Sequence, residues 1–226
     1  FGEGGDQPPA ALDVSPALPE MVQRDRRLST AGLKAYHDGR RPDPVAVFGR
    51  VRDCVDRFID FDHSLADQRT MAEMVACFIM ATWFLDAFTV AGFLWPNGDR
   101  GSGKTQLLAV ICELAYLGQL VLAGGSFAAL RDMADYGATL AFDDAENLGD
   151  PRKTDPDKRT LLLAGNRRGN VVPLKEKEDN GWRLRYVNTF SFRLFSAIQL
   201  PDSVLASRTI VVPLIRTPDR YRANAD

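Results

Sequence analysis

Residues 98 to 105 read Gly98-Asp99-Arg100-Gly101-Ser102-Gly103-Lys104-Thr105. This run fits G-x-x-x-x-G-K-[ST] at every fixed position, which is the pattern of a loop that wraps nucleotide phosphates. Glycines let backbone N–H groups turn inward around an anion without a side chain in the way. The lysine brings positive charge to the β- and γ-phosphates, and the hydroxyl that follows can ligate Mg²⁺. We therefore predict that this loop, with the adjacent Gln106, binds the phosphates of a nucleotide.

The residues on either side of the loop favour the same interpretation. Residues 91–95 predict a short buried strand that enters the loop, and residues 105–114 predict the helix that leaves it. A bound phosphate would then lie at a helix N-terminus, where backbone N–H groups favour an anion. If the match were due to chance, we would not expect a strand before the loop and a helix after it.

Composition excludes several classes of protein. The chain has 226 residues, of which 45% are hydrophobic, so it can bury a sizeable core. Its formal net charge of −2 gives no global positive field, and any contact with nucleic acid must be a local patch. The three widely spaced cysteines favour buried thiols in a reducing compartment over a disulfide framework or a zinc knuckle. With no secretory signal visible, we expect a cytoplasmic protein.

Patterning along the chain predicts four segments. The apolar stretch 74–85 is too short to span a membrane before it meets Asp86, so we interpret it as part of a buried helix at about 66–87 and expect no membrane contact. A first helix begins at Pro44. The segments are a lead-in at 1–43, partly disordered or with one short helix; helices packed on the core at 44–90; the core that carries the loop at 91–217; and a tail at 218–226.

Strands and helices alternate after the phosphate loop. Residues 119–123 and 138–142 predict buried strands, with a helix at 127–136 between them. Such alternation is typical of a mostly parallel sheet with helices on both faces. We therefore predict an α/β fold of the P-loop NTPase type with three α/β/α layers.

Two carboxylates, Asp143 and Asp144, follow the second of these strands. Asp143 would hold Mg²⁺ together with Thr105, and Asp144 would polarise the attacking water, so the pair predicts hydrolysis of ATP. Glu146 remains an alternative to Asp144. An acidic turn after a buried strand is common by itself, but the turn and the phosphate loop together favour an ATPase.

A single arginine, Arg208, comes directly before the apolar run 209–212. An arginine here could enter the site of a neighbouring subunit and neutralise charge that develops on the γ-phosphate. It could equally be an ordinary surface arginine before a strand, and the residues alone do not decide between the two.

Together these segments resemble a known family, the AAA+-type ATPase domain of phage, plasmid and mobile-element primase-helicase proteins. They are similar, more loosely, to superfamily 3 and MCM-like helicases. The resemblance covers residues 45–217 and rests on the helical residues 48–88 and on the runs at 101–105, 126–130, 142–146, 163–169, 200–202 and 207–210. It implies an AAA+-like fold and a ring, usually a hexamer, with ATP bound between subunits.

The resemblance also implies roles for the matching residues. Lys104 and Thr105 correspond to the Walker A residues. Asp143 and Asp144 correspond to the Walker B pair, although most AAA+ members have Glu at the second position and superfamily 3 members often have two Asp.

Two further roles follow from the resemblance. Arg208 matches the finger that acts in trans, in a segment from Asp202 that is one residue longer than the family pattern. A polar sensor residue normally ends the strand before the finger, and we assign Ser196 to this role, with Gln199 as the alternative.

Residues 171–187 predict a β-hairpin, because Asn180-Gly181 separates two alternating runs. The resemblance implies that this hairpin points into the ring channel and contacts the backbone of DNA, which we expect to be single-stranded. Alternatively, it is a solvated hairpin whose lysines pair with Glu176, Glu178 and Asp179. The predicted DNA contacts fall on one side of each strand, and they are Lys175, Lys177, Arg183 and Arg185.

The leading hypothesis is a ring-forming ATPase that moves on DNA, as a replicative helicase domain of a phage or mobile element. An alternative is an AAA+ switch or remodeller that acts on a protein partner. A small-molecule kinase is a third and weaker hypothesis, because it leaves the hairpin, Arg208 and the acidic pair unused.

Overall fold

The computed structural model describes residues 30–121, 127–143, 145, 159–160, 163–178 and 181–223. The chain divides into two units, residues 1–41 and 42–226. In the first unit, helix α1 spans Thr30–His37. Arg41 follows it, and its guanidinium donates to the Tyr36 carbonyl (2.8 Å) and lies 3.8 Å from the centroid of the Tyr36 ring.

Two helices with aspartate caps open the second unit. Helix α2 (Pro44–Phe58) begins where the Asp43 carboxylate accepts a hydrogen bond from the Val45 N–H, with proline in its first turn. Helix α3 (Gln68–Thr82) begins where the Asp67 carboxylate accepts from the Thr70 N–H.

Helix α3 ends earlier than the sequence predicted. The Thr82 hydroxyl accepts a hydrogen bond from the Tyr116 N–H (2.9 Å), and the Trp83 indole donates to the Leu114 carbonyl (2.9 Å). These bonds to a distant segment turn the chain, so the predicted helix 66–87 is a shorter helix followed by a single 3₁₀ turn.

The other elements follow in chain order: the 3₁₀ turn (Leu85–Ala87), β1 (Phe93–Asn97), α4 (Lys104–Leu114), β2 (Gln119–Val121), α5 (Phe127–Asp135), β3 (Leu140–Phe142), β4 (Val171–Glu178), β5 (Gly181–Asn188), β6 (Arg193–Phe195), α6 (Ser203–Ala206), β7 (Thr209–Pro213) and α7 (Arg220–Ala223). Five strands form a parallel sheet in the order β2-β3-β6-β1-β7. The predicted mixed α/β fold with a mostly parallel sheet is confirmed. β1 begins two residues later than predicted, because the Ala91 N–H bonds the Asn166 carbonyl instead of a neighbouring strand.

Side chains of the sheet alternate between two buried faces. On one face, Leu94 of β1 and Leu194 of β6 belong to a core cluster that includes residues of α2, α3 and α4, among them Val55, Val75 and Ile111. The other face is aromatic, with Phe195 in ring contact with Phe93, Trp95 and Phe142. Burial on both faces is the usual condition of a parallel sheet.

The predicted hairpin is present as β4 and β5, but Gly181 belongs to a strand and not to the turn. The register pairs Gly181 with Glu178, and residues 179–180 lie outside the described residues. Gly181 is the first residue of β5 and has φ of 146°, in a region that favours glycine.

The cysteines are free, as expected, but only Cys112 is fully buried. Cys54 is half-buried and Cys77 is exposed, because the helical period of α3 turns Cys77 away from the core that Ala76 and Phe78 enter. Within the described ranges, no helix is both long and apolar enough to cross a membrane.

Candidate functional site

The carboxyl ends of three neighbouring strands bring the loop 98–105, Asp143 and Ser196 to one edge of the sheet. β6 lies between β1 and β3, and all three strands run parallel. The loop 98–105 follows β1, Asp143 follows β3 and Ser196 follows β6. In open parallel α/β sheets, ligands bind in the crevice outside this edge.

The loop has the backbone shape that its glycines predict. Gly101 and Gly103 have φ of 81° and 87°, in the left-handed region that favours glycine. Gly98 is needed for a different reason, because a Cβ there would lie 2.5 Å from the Leu214 carbonyl oxygen and 2.6 Å from the Ser102 hydroxyl oxygen. Gly103 is also the N-cap of α4, whose first N–H groups have no partner inside the helix.

Lys104 and Ser102 add hydrogen-bond donors to the loop. The Lys104 ammonium donates to the carbonyls of Gly98 (2.8 Å) and Asp99 (2.9 Å), so it is held across the loop. The Ser102 hydroxyl is buried and has no hydrogen-bond partner among the described residues. A buried donor without a partner is unfavourable, and an anion in the loop would satisfy it.

Thr105, Asp143 and Ser196 form a hydrogen-bonded chain beside the loop. The Thr105 hydroxyl donates to one Asp143 carboxylate oxygen (2.8 Å), and the Ser196 hydroxyl donates to the other (2.5 Å). Gln199, the alternative sensor, is exposed, and its backbone carbonyl accepts a hydrogen bond from the Trp95 indole (3.0 Å). Of the two sensor candidates, Ser196 is therefore the one that contacts Asp143.

The side-chain oxygen atoms of Thr105 and Asp143 suit Mg²⁺ better than a metal that requires a full set of protein ligands. In the part of the chain that is described, no group of three or more His, Cys, Asp or Glu side chains could hold a metal ion. Thr105 and Asp143 offer one hydroxyl and one carboxylate. Mg²⁺ keeps several waters and binds through one or two protein oxygens plus substrate phosphates, so the pair fits it.

Two cavities adjoin the loop. One is an open crevice of about 750 Å³, and the residues lining it include Arg100, Lys104, Thr105, Gln106, Asp143 and Ile198. The other is a smaller cavity of about 330 Å³ on the far side of Gln106, between the end of α2, the loop and the C-terminal segment. Its lining includes Phe58, Ile59, Ile215 and Arg222, and the Arg222 guanidinium donates to the Ile59 carbonyl (2.6 Å).

Reasoning from the sequence missed this smaller cavity. Phe58, Ile215 and Arg222 come from segments that are distant in sequence and carry no motif. Long-range contacts bring them together: Phe61 after α2 forms an isolated bridge with Leu214 directly after β7, and Arg222 bonds the Ile59 carbonyl.

Arg208 lies at the opposite edge of the sheet from the loop. Its carbonyl accepts a hydrogen bond from the Phe93 N–H (2.9 Å), and Thr209 pairs with Phe93 at the start of β1. The length of β1 therefore separates the Arg208 backbone from the loop by about 13 Å. Its guanidinium donates to the Val204 carbonyl (2.6 Å). The predicted water-polarising residues, Asp144 and Glu146, lie outside the described residues.

The four predicted DNA contacts occupy opposite faces of the hairpin. Lys175 and Lys177 share one face, and Arg183 and Arg185 share the other, because Leu174 pairs with Arg185 across the strands. Arg185 also forms an ion pair with Asp135 of α5 (2.6 Å). The hairpin thus does not gather all four cations on one surface.

No model of a known protein family matches the chain, and no curated protein matches its sequence. Among solved structures, the chain is similar to JCV helicase, in a crystal structure with N-(4-(2-(thiazolo[5,4-c]pyridin-2-yl)phenoxy)phenyl)acetamide bound. The identity is 18% and the TM-score 0.39, over 74% of this chain and 46% of that helicase. The similarity is weak, and the chain spans less than half the length of that protein.

Proposed function

We propose that the second unit hydrolyses ATP with Mg²⁺ and acts on DNA as a ring-forming motor, the helicase domain of a phage or mobile element. The observation that carries the proposal is the Thr105–Asp143–Ser196 hydrogen-bonded chain at the edge of loop 98–105. It joins the two expected metal ligands to each other directly beside a glycine loop that ends in a lysine.

Each residue of the site has a distinct part in the proposed hydrolysis. The loop backbone, the Lys104 ammonium and the Ser102 hydroxyl bind the β- and γ-phosphates. Thr105 and Asp143 hold Mg²⁺, which when bound neutralises charge on the phosphates. Ser196 fixes the orientation of the Asp143 carboxylate. Asp144, the next residue in the chain, polarises the attacking water.

The smaller cavity gives the rest of the nucleotide a place beside the phosphates. It is lined by the apolar Phe58, Ile59 and Ile215 and shares Gln106 with the open crevice. A planar base needs this combination of apolar contact and nearby polar groups.

The position of Arg208 supports assembly into a ring. At about 13 Å along the sheet from its own loop, Arg208 would serve the ATP of a neighbouring subunit. An arginine supplied in trans stabilises charge in the transition state of phosphoryl transfer. In such a ring, each interface between subunits would contain one complete ATP site.

The hairpin supports the proposed action on DNA. Lys175 and Lys177 are exposed on one face of β4, where they can contact phosphates. Because Arg185 already pairs with Asp135, we assign the principal backbone contacts to the two lysines.

Steady-state ATP hydrolysis with and without single-stranded DNA tests the proposal. Lys104→Ala is the control that should not hydrolyse ATP, and Lys175→Ala/Lys177→Ala tests whether the hairpin contacts DNA. We expect DNA to stimulate turnover and the double lysine variant to lose the stimulation. Hydrolysis that ignores DNA would favour a switch that acts on a protein partner, and equal turnover by Lys104→Ala would contradict the proposed site.

A further inference from the structure

One face of the hairpin exposes large apolar side chains to solvent. Trp182, Leu184 and Tyr186 alternate along β5 and are 70%, 50% and 62% exposed. The register places Lys177 opposite Trp182 and Lys175 opposite Leu184, so the two lysines share this face. We call these five residues the aromatic face.

The other face of the hairpin is the one that packs on the protein. Val187 is fully buried there. The Asp135 carboxylate of α5 accepts hydrogen bonds from the Arg185 guanidinium (2.6 Å) and from the Asn188 N–H (2.9 Å). With that face attached, the aromatic face remains open to a ligand. Exposed apolar side chains grouped in this way mark a binding surface.

The chemistry of the aromatic face matches a single strand of nucleic acid. Unpaired bases stack on aromatic rings, and lysines beside those rings neutralise the phosphates that link the bases. Trp182 and Tyr186 are about 13 Å apart along one face of β5, with Leu184 between them. In a duplex the bases stack on one another, so their faces are not free to stack on Trp182 and Tyr186.

We propose that the aromatic face binds single-stranded nucleic acid by stacking bases on Trp182 and Tyr186, with Lys175 and Lys177 against the phosphates. This deepens the proposed action on DNA and rests on it, because it adds base stacking to contacts with the backbone. It does not depend on hydrolysis of ATP, so the two proposals can fail separately.

The test is equilibrium binding of the whole chain to a fluorescent oligothymidylate without nucleotide. The comparison probes are an abasic strand of equal length, which has the same phosphates but no bases, and a duplex. We expect the oligothymidylate to bind at least about tenfold more tightly than the abasic strand. Trp182→Ala should remove most of that difference, and Trp182→Phe should restore it.

Two matched controls separate stacking from general effects. Tyr36→Ala removes an aromatic ring of α1 that is 59% exposed, and Arg50→Ala removes an exposed cation of α2. Neither should change binding. Lys175→Ala/Lys177→Ala should lower the salt dependence of affinity, whereas Trp182→Ala should leave it unchanged.

Equal affinity for the abasic and oligothymidylate strands would overturn the proposal, as would equal binding by Trp182→Ala and the wild-type chain. Loss of self-association in Trp182→Ala with unchanged DNA affinity would also overturn it, in favour of a protein on this face. Binding as expected from a chain that hydrolyses no ATP would support the aromatic face and contradict the proposed ATPase.

Discussion

The Ser196 hydroxyl donates a 2.5 Å hydrogen bond to the Asp143 carboxylate. The two residues are 53 positions apart and meet because β6 lies beside β3 in the parallel sheet. With its other oxygen bound to Thr105, Asp143 has a fixed orientation at the edge of loop 98–105. In the proposed site, Ser196 would therefore orient the expected metal ligand, as residues that hydrogen-bond to metal ligands commonly do.

Ser196→Ala should lower ATP turnover by about 10- to 100-fold, the usual effect of losing a partner that orients a metal ligand. Ser191→Ala is the matched control, since Ser191 is also buried but its hydroxyl has no partner among the described residues. Steady-state hydrolysis and circular dichroism of both variants are the measurements. Equal losses in the two variants would mean that Ser196 acts through folding alone.

Substitution of two glycines by alanine should have opposite effects on stability. Gly98→Ala puts a Cβ 2.5 Å from the Leu214 carbonyl, and such overpacking costs about 1–3 kcal/mol. Gly49→Ala meets no atom within 4 Å inside α2, where alanine gains up to about 1 kcal/mol over glycine. Urea unfolding measures both. A Gly98→Ala variant that is as stable as the wild type and still binds nucleotide would contradict the loop geometry.

Arg208→Ala should keep nucleotide affinity and lose turnover. The arginine is remote from the loop of its own chain, so binding there is unaffected, whereas loss of an arginine finger costs about 10³-fold or more in turnover. Calorimetric binding and hydrolysis by the assembled protein are compared in the same preparation. Weaker nucleotide binding with unchanged turnover per bound nucleotide would argue against action in trans.

Asp202 should contribute stability that depends on pH. Burial raises its pKa, but hydrogen bonds from the Arg159 guanidinium and from the N–H groups of Leu205 and Val204 outweigh burial, and the net pKa is lowered. A carboxyl whose folded pKa is depressed stabilises the protein above its unfolded pKa and loses that effect as pH falls through the folded value. Asp202→Asn should cost about 1–2 kcal/mol at neutral pH.

The cost of Asp202→Asn should shrink as the pH falls below 3.8, the ordinary pKa of an aspartate. Urea unfolding across this range gives the free energy of unfolding of both proteins. A difference that does not change with pH would show that the ion pair with Arg159 is not its source.

The sequence predicted those elements whose backbone conformation is determined by residues close to them in the chain. The glycines of loop 98–105, the apolar strand before Asp143 and the two runs of the hairpin each specify their own backbone. The end of α3 could not be predicted in this way, because Thr82 and Trp83 bond to residues more than thirty positions away.

Long-range packing also explains what the sequence missed in the site. Arg185 forms an ion pair with Asp135, which lies 50 positions away. The local pattern does not show this partner, so it predicted that Arg185 contacts DNA. Outside the site, Arg193 is a similar case, since its guanidinium is fully buried in β6 and burial lowers its pKa to about 9. An alternating pattern would assign such a residue to solvent.

The most direct test of the central claim is calorimetric titration of Mg·ATP into the wild-type chain and into Lys104→Ala. Lys34→Ala, which removes an exposed lysine from α1, is the control for charge. Hydrogen bonds to charged groups contribute about 1.5–3 kcal/mol, so Lys104→Ala should weaken binding by roughly 10- to 150-fold while Lys34→Ala binds as the wild type does. Equal affinity in all three proteins, or no binding by the wild type, would contradict a nucleotide site at loop 98–105.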